Sequence, residues 1–548
     1  MLTPLTPLLP SPSTAAYALL AVAGAALAAW AYLYLYTVYA LPFRNLRGPV
    51  PASALFGSLI TQQKAEPGTT YAAWAATHGP TLRFRSILGS WRIVSTDPAA
   101  VAWVLQHTGQ FHRQTGFNRM LDRMMGRGVL MVEDAAHRRQ RRVLAPAFSA
   151  ANVQDMMPVM WDKSYEMIEK LEKAVREGEA EDKESGTRID IHLYFMRTAL
   201  DIIGLAGFNY DFGAGEGKDN VLSQSLSTLM NFIQKPNLVR VLQIFYPALL
   251  PIPTAYTRML DSTRIIQDRV GREIVAARKA ELSDVKVDKR ADIGKDAISL
   301  LLKANMSPDL DDKQRLSDDE VLGQIGTLMV AGNETSAIAL AWACMHLTQH
   351  PEVQERLRNE LDAVPEDRPS MDELAALTYL DNVVHEVLRF DPPLPQVVRM
   401  CVQDTVVPLG VPVRGRDGQM MDKVVVSKGT EFVIPINEIN RSTDVWGPDA
   451  GDFNPDRFDR GKPGVAVPSV WGNLVTFIAG PHNCMGYRFA LAEIKVMLFV
   501  LLRNFTLEPL PSHPRIERRG MGFVQRPFVV GEEDKGIQLP VILRRREA

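Results

Sequence analysis

Hydrophobic and polar positions change rhythm three times along the chain. From Ala15 to Leu41 the residues are almost all apolar, and no Asp, Glu, Lys or Arg occurs before Arg44. A helix needs about 20 such residues to cross a bilayer, so the pattern predicts a transmembrane anchor over 15–41 behind a short tail, 1–14. Trp30, Tyr32, Tyr34, Tyr36 and Tyr39 suit a membrane interface, and Arg44 and Arg47 follow at once, which places the bulk of the chain on the cytoplasmic side. A cleavable signal peptide is the competing reading, although such peptides usually have a charged first region and a shorter apolar core. Pro42 and the run Gly48-Pro49-Val50-Pro51 then predict a stiff hinge over 42–53.

Beyond the hinge the rhythm is that of a folded globule. The stretch from Thr69 to Pro98 reads as a short helix followed by two strands, Thr81 to Arg85 and Trp91 to Ser95. From Asp97 to about Arg389 a helical period dominates. It is interrupted by a charged loop from Glu177 to Arg188, a Gly-rich loop from Gly213 to Gly217, a Pro-rich segment from Tyr246 to Pro253 and a polar stretch from Ser283 to Lys295. After Asp391 strands and loops take over, broken by a glycine-framed loop and the helical pattern that begins at Tyr487. No repeat or linker divides residues 54–548, so they predict one large, mainly α domain with a minor β part. The 548 residues are 46% hydrophobic and 23% charged, as expected of a globular chain. A net charge of −2 gives no global basic field for nucleic acid.

Candidate chemistry begins with a scarcity. The chain has three cysteines, which excludes a disulfide framework or a multi-cysteine zinc site. One of them, Cys484, lies in Phe477-Ile478-Ala479-Gly480-Pro481-His482-Asn483-Cys484-Met485-Gly486. Gly480 and Gly486 permit positive φ and a close approach to a flat cofactor, and Pro481 stiffens the turn between them. The helical pattern from Tyr487 places Cys484 near a helix N-terminus, where orphan amides and the dipole favour an anionic sulfur. The loop alone leaves open that Cys484 is a buried small hydrophobe, as most free cysteines are. Gly213 to Lys218 imitates a phosphate loop, but no Ser or Thr follows the Lys, and Asp211-Phe212-Gly213 lacks a kinase catalytic loop before it. Both read as a surface turn.

Two further constellations stand out. Val330-Ala331-Gly332-Asn333-Glu334-Thr335-Ser336 places a glycine, an acid and two hydroxyls inside an apolar helix running from about Ser317 to His350. That composition costs helix stability, for a functional reason or because the polar groups bend the helix and are satisfied locally. Glu386 and Arg389 are spaced i, i+3 and can meet on one helix face, and a second arginine, Arg457, follows in Phe453-Asn454-Pro455-Asp456-Arg457-Phe458.

The order Phe-x-x-Gly-x-x-x-Cys-x-Gly resembles the haem-ligand loop of the cytochromes P450. Ala331 to Ser336 resembles that family's distal helix, and Glu386, Arg389 and Arg457 resemble the triad that clamps the loop before the ligand. These signals occur in the family's order and cover the chain from about Leu41 to its end, in the manner of a membrane-anchored, fungal microsomal member. The resemblance implies haem b with Cys484 as its axial thiolate, Phe477, Gly480 and Gly486 shaping the loop around it, and Glu334 and Thr335 relaying protons. Where the family usually carries Arg, this chain has His482, which implies a weaker and pH-dependent contact to a haem propionate. Arg399 stands where a propionate partner is often found. His137 and Arg141 match the family's Trp-x-x-x-Arg helix, with His137 in place of Trp.

The implied activity is a monooxygenase that inserts one atom of O2 into a lipophilic substrate, a terpenoid or another fungal secondary metabolite. No flavin or iron–sulfur module remains in the chain, so NADPH electrons are expected from a separate NADPH-cytochrome P450 reductase, with cytochrome b5 as a further donor. Arg138, Arg139, Arg142, Arg488 and Lys495 form the expected docking face. Substrate contacts are expected from Phe117 to Gly128, from Leu328 and Ala331, from Pro393 to Val398 and from Met521 to Gln525. The segment from Phe245 to Ile252 could dip into the membrane. The expected location is the endoplasmic reticulum membrane, single-pass, with the haem domain facing the cytosol. Two other classes stay in view: a P450-type isomerase or dehydratase that does not use O2, which tends to lose the distal acid and threonine, and a non-catalytic haem-binding protein.

Overall fold

The computed structural model describes residues 12–36, 39–181, 187–216, 225, 228, 237–284, 296–305, 315–461, 464–520 and 524–546. The first part of the tail (1–11), Gly217 and Lys218 of the phosphate-loop imitation, much of the polar stretch before Lys295, and 521–523 of the last substrate segment lie outside them.

The N-terminal apolar segment is helical over Pro12–Ala31 and tightens into a π-helix over Tyr32–Tyr36. Leu20, Val22 and Leu27 on it are exposed. Among the described residues two helices, Ile191–Phe208 and Asp318–Gln349, are long and apolar enough to cross a bilayer, but both are mostly buried in the globule, and at the N-terminus the apolar helical stretch is the shorter Leu20–Ala31.

Asp318–Gln349 is the axis around which the rest packs. A capping box starts it: Ser317 Oγ accepts from the Glu320 amide, and the Glu320 carboxylate accepts from the Ser317 amide. Being apolar on all sides, it is buried on nearly all sides. Gly332 lets Ile191–Phe208 come close, since a Cβ at that position would stand 2.8 Å from Ile203 Cγ1. The space this glycine leaves is taken up by Ile203. Behind the cysteine loop, Tyr487–Asn504 packs on both the axial helix and Ala150–Glu181. Phe499 meets Trp161 edge-on there, with ring centroids 5.5 Å apart.

The main sheet runs in the order Thr81–Arg85, Trp91–Ser95, Glu431–Ile434, Val397–Cys401, Phe111–Arg113. The first two strands lie where their alternation places them. Phe111–Arg113 and Thr187–Asp190 are strands inside the region read as helical and loop. Each is three or four residues long and owes its conformation to a distant partner, Val397–Cys401 and Pro540–Arg545 respectively. The pairing of Phe111–Arg113 sets Arg113 opposite Arg399. Ala150–Glu181 also runs further into the charged segment than its composition suggests. In the Gly-rich turn the Asp201 carboxylate accepts from the amides of Ala214 and Gly215 at 2.8 and 2.7 Å, which fills the nest with an internal anion.

Candidate active site

The cysteine loop is held from behind by a buried charge cluster. Arg389 donates to both oxygens of Glu386 at 2.7 and 2.8 Å, and Arg457 Nε lies 3.0 Å from each of them. All three side chains are sealed from solvent. The remaining guanidinium hydrogens bind the carbonyls of Asn440, Ala450, Asp449 and Asp452, so the cluster fixes the irregular chain around Arg457. Asn440 carries the order forward: its side chain accepts from the Val475 amide and donates to Thr476 Oγ1, and Thr476 in turn donates to the Leu388 carbonyl. The triad therefore reaches the turn Val475–Phe477, one residue before the loop proper.

Within the loop, Ile478 has φ +59°, a costly value for a β-branched residue. Gly480 has φ +72°, and a Cβ on it would stand 2.5 Å from the Leu105 carbonyl oxygen. Its glycine is thus required by the helix Pro98–Gln106 beneath it. Gly486 differs from expectation: its φ is −90°, and a Cβ would make only ordinary contact, 3.8 Å, with the Phe148 ring. Phe477 is half-buried between Trp471 and Tyr487, and its carbonyl accepts from the Cys484 amide at 2.8 Å.

Cys484 is the one accessible cysteine; Cys344 and Cys401 are buried. It is nevertheless enclosed by protein atoms on its other sides, so that burial pushes its thiol up, opposed by a hydrogen bond from the Gly486 amide and by the charge of Arg141. A side chain both enclosed and accessible faces an interior space. Arg141 donates to the Asn483 carbonyl at 2.8 Å and to the Asn483 side chain, so it grips the residue next to Cys484.

Beside the loop is a cradle of positive charge. Arg113, Arg141 and Arg399 surround His137 and His482, and the carboxylate among them is Glu133, 3.3 Å from Arg113 and 3.5 Å from His482. Burial, helped by Arg113, pushes Arg399 down to about 10. His482 lies edge-on to His137, with centroids 4.1 Å apart. Burial and then the neighbouring cations push His137 down to about 4, and burial and Arg113 lower His482 strongly. In the protein alone, burial and the surrounding cations thus oppose a charge on the His482 ring. Arg113 and Glu133 went unread in the sequence, because a three-residue strand and an isolated acid carry no periodic signal.

On the axial helix, accessibility reappears where the unusual residues lie. Between Val321 and Leu347, mostly buried, Ala331 is exposed and Gly332 and Thr335 are half-buried. Thr335 Oγ1 donates to the Ala331 carbonyl at 2.8 Å, the local satisfaction open to a mid-helix hydroxyl. Glu334 is buried and forms an ion pair with Arg526, itself buried on the strand Arg526–Val529. The acid is thus bound to a partner that no motif announced.

Of the expected docking face, Arg138, Arg142 and Arg488 are exposed. Lys495 is turned inward to Asp381 at 2.7 Å, and Arg139 binds Glu320 and the Arg315 carbonyl. Among the expected substrate segments, Met120, Leu121, Met124 and Met125 are buried on the helix Thr115–Met125. Gln525 is structural: its side chain donates to the Pro392 carbonyl and accepts from Asn437, and its backbone binds Pro393 and Trp342.

An accessible thiol in an interior space and a buried cradle with three guanidinium groups against one carboxylate fit haem, whose iron takes a thiolate and whose propionates are anions. Comparison with known proteins agrees. The family model for cytochrome P450 matches residues 47–529. Cytochrome P450 monooxygenase 128 of Postia placenta is 37% identical over 95% of this chain and 97% of its own length. Cytochrome P450 monooxygenase claQ of Ampulloclitocybe clavipes is 35% identical over 92% and 93%, and a ganoderic acid synthetase of Ganoderma lucidum is 33% identical over 89% and 92%. With the ligand loop, the triad and the distal helix in place, the chain belongs to the cytochrome P450 family.

Proposed function

We propose that the protein is a haem-thiolate monooxygenase that oxidises a lipophilic small molecule of fungal secondary metabolism, a terpenoid above all, on NADPH electrons passed through a separate reductase. The observation that carries this reading is Cys484, accessible from the interior on a loop that the Glu386 cluster holds in place. Cys484 would ligate the iron, while Arg113, Arg141 and Arg399, with His137 and His482, would hold the propionates. When bound, the haem supplies O2 activation, one atom entering the substrate and the other leaving as water. The chain's own part is to favour the thiolate through the Gly486 amide and Arg141, and to present the Thr335 hydroxyl as a proton-carrying group at the accessible face of the axial helix. Retention of Glu334 and Thr335 favours this reading over an isomerase that dispenses with O2. The fungal relatives, one of them named for ganoderic acid, support the substrate class.

The exposed apolar residues Leu20, Val22 and Leu27 of the helix Pro12–Ala31 and the aromatic residues behind them support an anchor over 15–41 that holds the domain on the cytosolic face of the endoplasmic reticulum membrane. Arg85 lies over the Tyr34 ring at 4.7 Å, so the anchor's end touches the globule. A reduced carbon monoxide difference spectrum tests the thiolate: a Soret band at the ordinary haem-protein position instead of the red-shifted one would sink it. NADPH-dependent oxygen insertion by microsomes, with and without Thr335→Ala, tests the activity.

A further inference from the structure

The ion pair at Glu334 changes what the distal acid can do. An acid that relays protons from a helix would be expected to reach water or the neighbouring hydroxyl. Here the carboxylate is almost sealed, and its partner is a guanidinium that is sealed as well. A buried carboxylate bonded to a fixed guanidinium keeps its orientation, whereas without that partner nothing fixes where it points.

The arginine has little freedom to leave. Arg526 begins a short strand paired with Ile516–Arg519, in register with Arg519. The preceding residue, Gln525, is tied to the same axial helix by the Trp342 indole, which donates to its carbonyl at 3.2 Å. Trp342 lies eight residues after Glu334, so the strand is fastened to the helix at points about 12 Å apart. Gln525 is further held by Pro392, Pro393 and Asn437. Close enough to feel the charge of Arg526 is His192 of the helix Ile191–Phe208, whose ring is buried and whose Nε2 has no hydrogen-bond partner. A neutral imidazole there adds no charge to compete for the guanidinium.

We propose that Arg526 is a positioning residue for the distal acid: it holds the Glu334 side chain oriented beside Thr335, and thereby sets how productively protons are delivered during oxygen insertion. The inference rests on the monooxygenase reading and adds to it a residue from the C-terminal hairpin, far in sequence from the helix that carries the acid.

The test uses the full-length holoenzyme reconstituted with reductase and compares wild type, Arg526→Gln, Arg526→Lys, Glu334→Gln and the double variant Glu334→Gln/Arg526→Gln. The quantities read are product formed per NADPH consumed, peroxide released, kcat and KM. Arg526→Gln is expected to lower kcat about tenfold or more, with peroxide replacing product and KM little changed. Arg526→Lys is expected to recover part of the loss, and the double variant to be no worse than Glu334→Gln alone, because the two residues act as one unit. Infrared spectra give a readout apart from turnover: Arg526→Gln should shift the Glu334 side-chain bands that Glu334→Gln removes, and the double variant should lack that shift. Unchanged coupling in folded Arg526→Gln, strictly additive losses, or absence of that shift would overturn the proposal. If Arg526→Gln yields no folded protein, wild-type coupling in Arg526→Lys overturns it. Should wild type consume no O2 with NADPH, the monooxygenase reading fails, and the infrared comparison still decides whether Arg526 governs Glu334.

Discussion

Arg457 Nε lies 3.0 Å from both carboxylate oxygens of Glu386, and each residue is sealed from solvent. With Arg389 on the other side, one carboxylate is shared by two guanidiniums, and removing either leaves the rest of the cluster uncompensated. Arg457→Leu and Arg389→Leu are each expected to destabilise the fold by about 3–5 kcal/mol. Because Asn440 links the cluster to Val475 and Thr476, haem content should fall before global unfolding is reached. Haem absorbance per protein, measured with thermal unfolding on the same samples, checks this. Asn440→Ala, which leaves the charges intact, should reproduce the haem loss with a smaller drop in stability.

The two glycines of the ligand loop serve different ends, and substitution separates them. Gly480→Ala places a Cβ 2.5 Å from the Leu105 carbonyl at φ +72°. It is expected to cost at least about 2 kcal/mol even in the haem-free chain. Gly486→Ala meets only Phe148 at 3.8 Å. Thermal unfolding of the haem-free protein should scarcely register it. If Gly486 is there for the cofactor, haem affinity will fall while that stability stays unchanged.

Electron delivery can be probed on the exposed cations alone. Arg142→Glu and Arg488→Glu, at accessible positions, should weaken reductase-supported turnover and flatten its dependence on salt, with the spectrum intact. Lys495→Glu is a control of another kind, since it sets two acids against each other at Asp381 and should lower stability. Equal effects of all three on reductase turnover, with no loss of stability in the last, would remove the proposed docking face.

Much of this was legible in the sequence for a definable reason. Cys484, Glu386, Arg389, Arg457 and Thr335 sit in local patterns with fixed spacings, and a long apolar helix or an alternating strand announces itself by period. Arg113, Glu133 and Arg526 could not be found that way. Each acts through a partner more than a hundred residues away or from a strand of three or four residues, so only the folded chain brings them to the site. Gly480 has the positive φ that its place in the loop predicts, but its close approach to the Leu105 carbonyl depends on a helix that only the fold brings there. The inward turn of Lys495 was illegible because charge alone does not tell which face of a helix is covered.

Acid should unfold the protein through histidines that the fold keeps neutral. His192 is fully buried and pushed down to about 3 by burial and by Arg526, whereas in the unfolded chain it titrates near 6.5. Between those values the unfolded state binds more protons, so stability is full above about pH 6.5 and declines as the pH falls towards about 3. His346, lowered by burial despite its bond to Asp391 at 2.7 Å, acts in the same direction. The contribution of each such residue to the unfolding free energy from urea titrations should be constant from pH 8 to about 6.5 and then fall by roughly 1.4 kcal/mol per unit down to pH 4. His192→Gln should reduce the slope.

Alkaline pH is expected to act through Glu493, on the helix behind the ligand loop. This side chain has no exposure, lies against Ser336 of the axial helix, and is pushed up to about 8 by burial. An unfolded glutamate titrates near 4.3, so between about 4.3 and 8 the native state binds the extra proton, and stability falls as pH rises through that window. The sign is opposite to that of His192, which places the stability maximum on the acid side of neutrality. Glu438, buried and likewise pushed up to about 8, adds to the same slope. Glu493→Gln keeps the shape and a hydrogen-bonding amide while removing the titration. It should raise the urea midpoint at pH 7 by an amount corresponding to at most about 4 kcal/mol, flatten the decline above about pH 6.5 and steepen the acid fall between about 6.5 and 4.3, where the two effects had opposed each other. An unaltered alkaline limb in Glu493→Gln/Glu438→Gln would show that both carboxyls are ionised in the native state and that the burial argument for this helix interface is wrong.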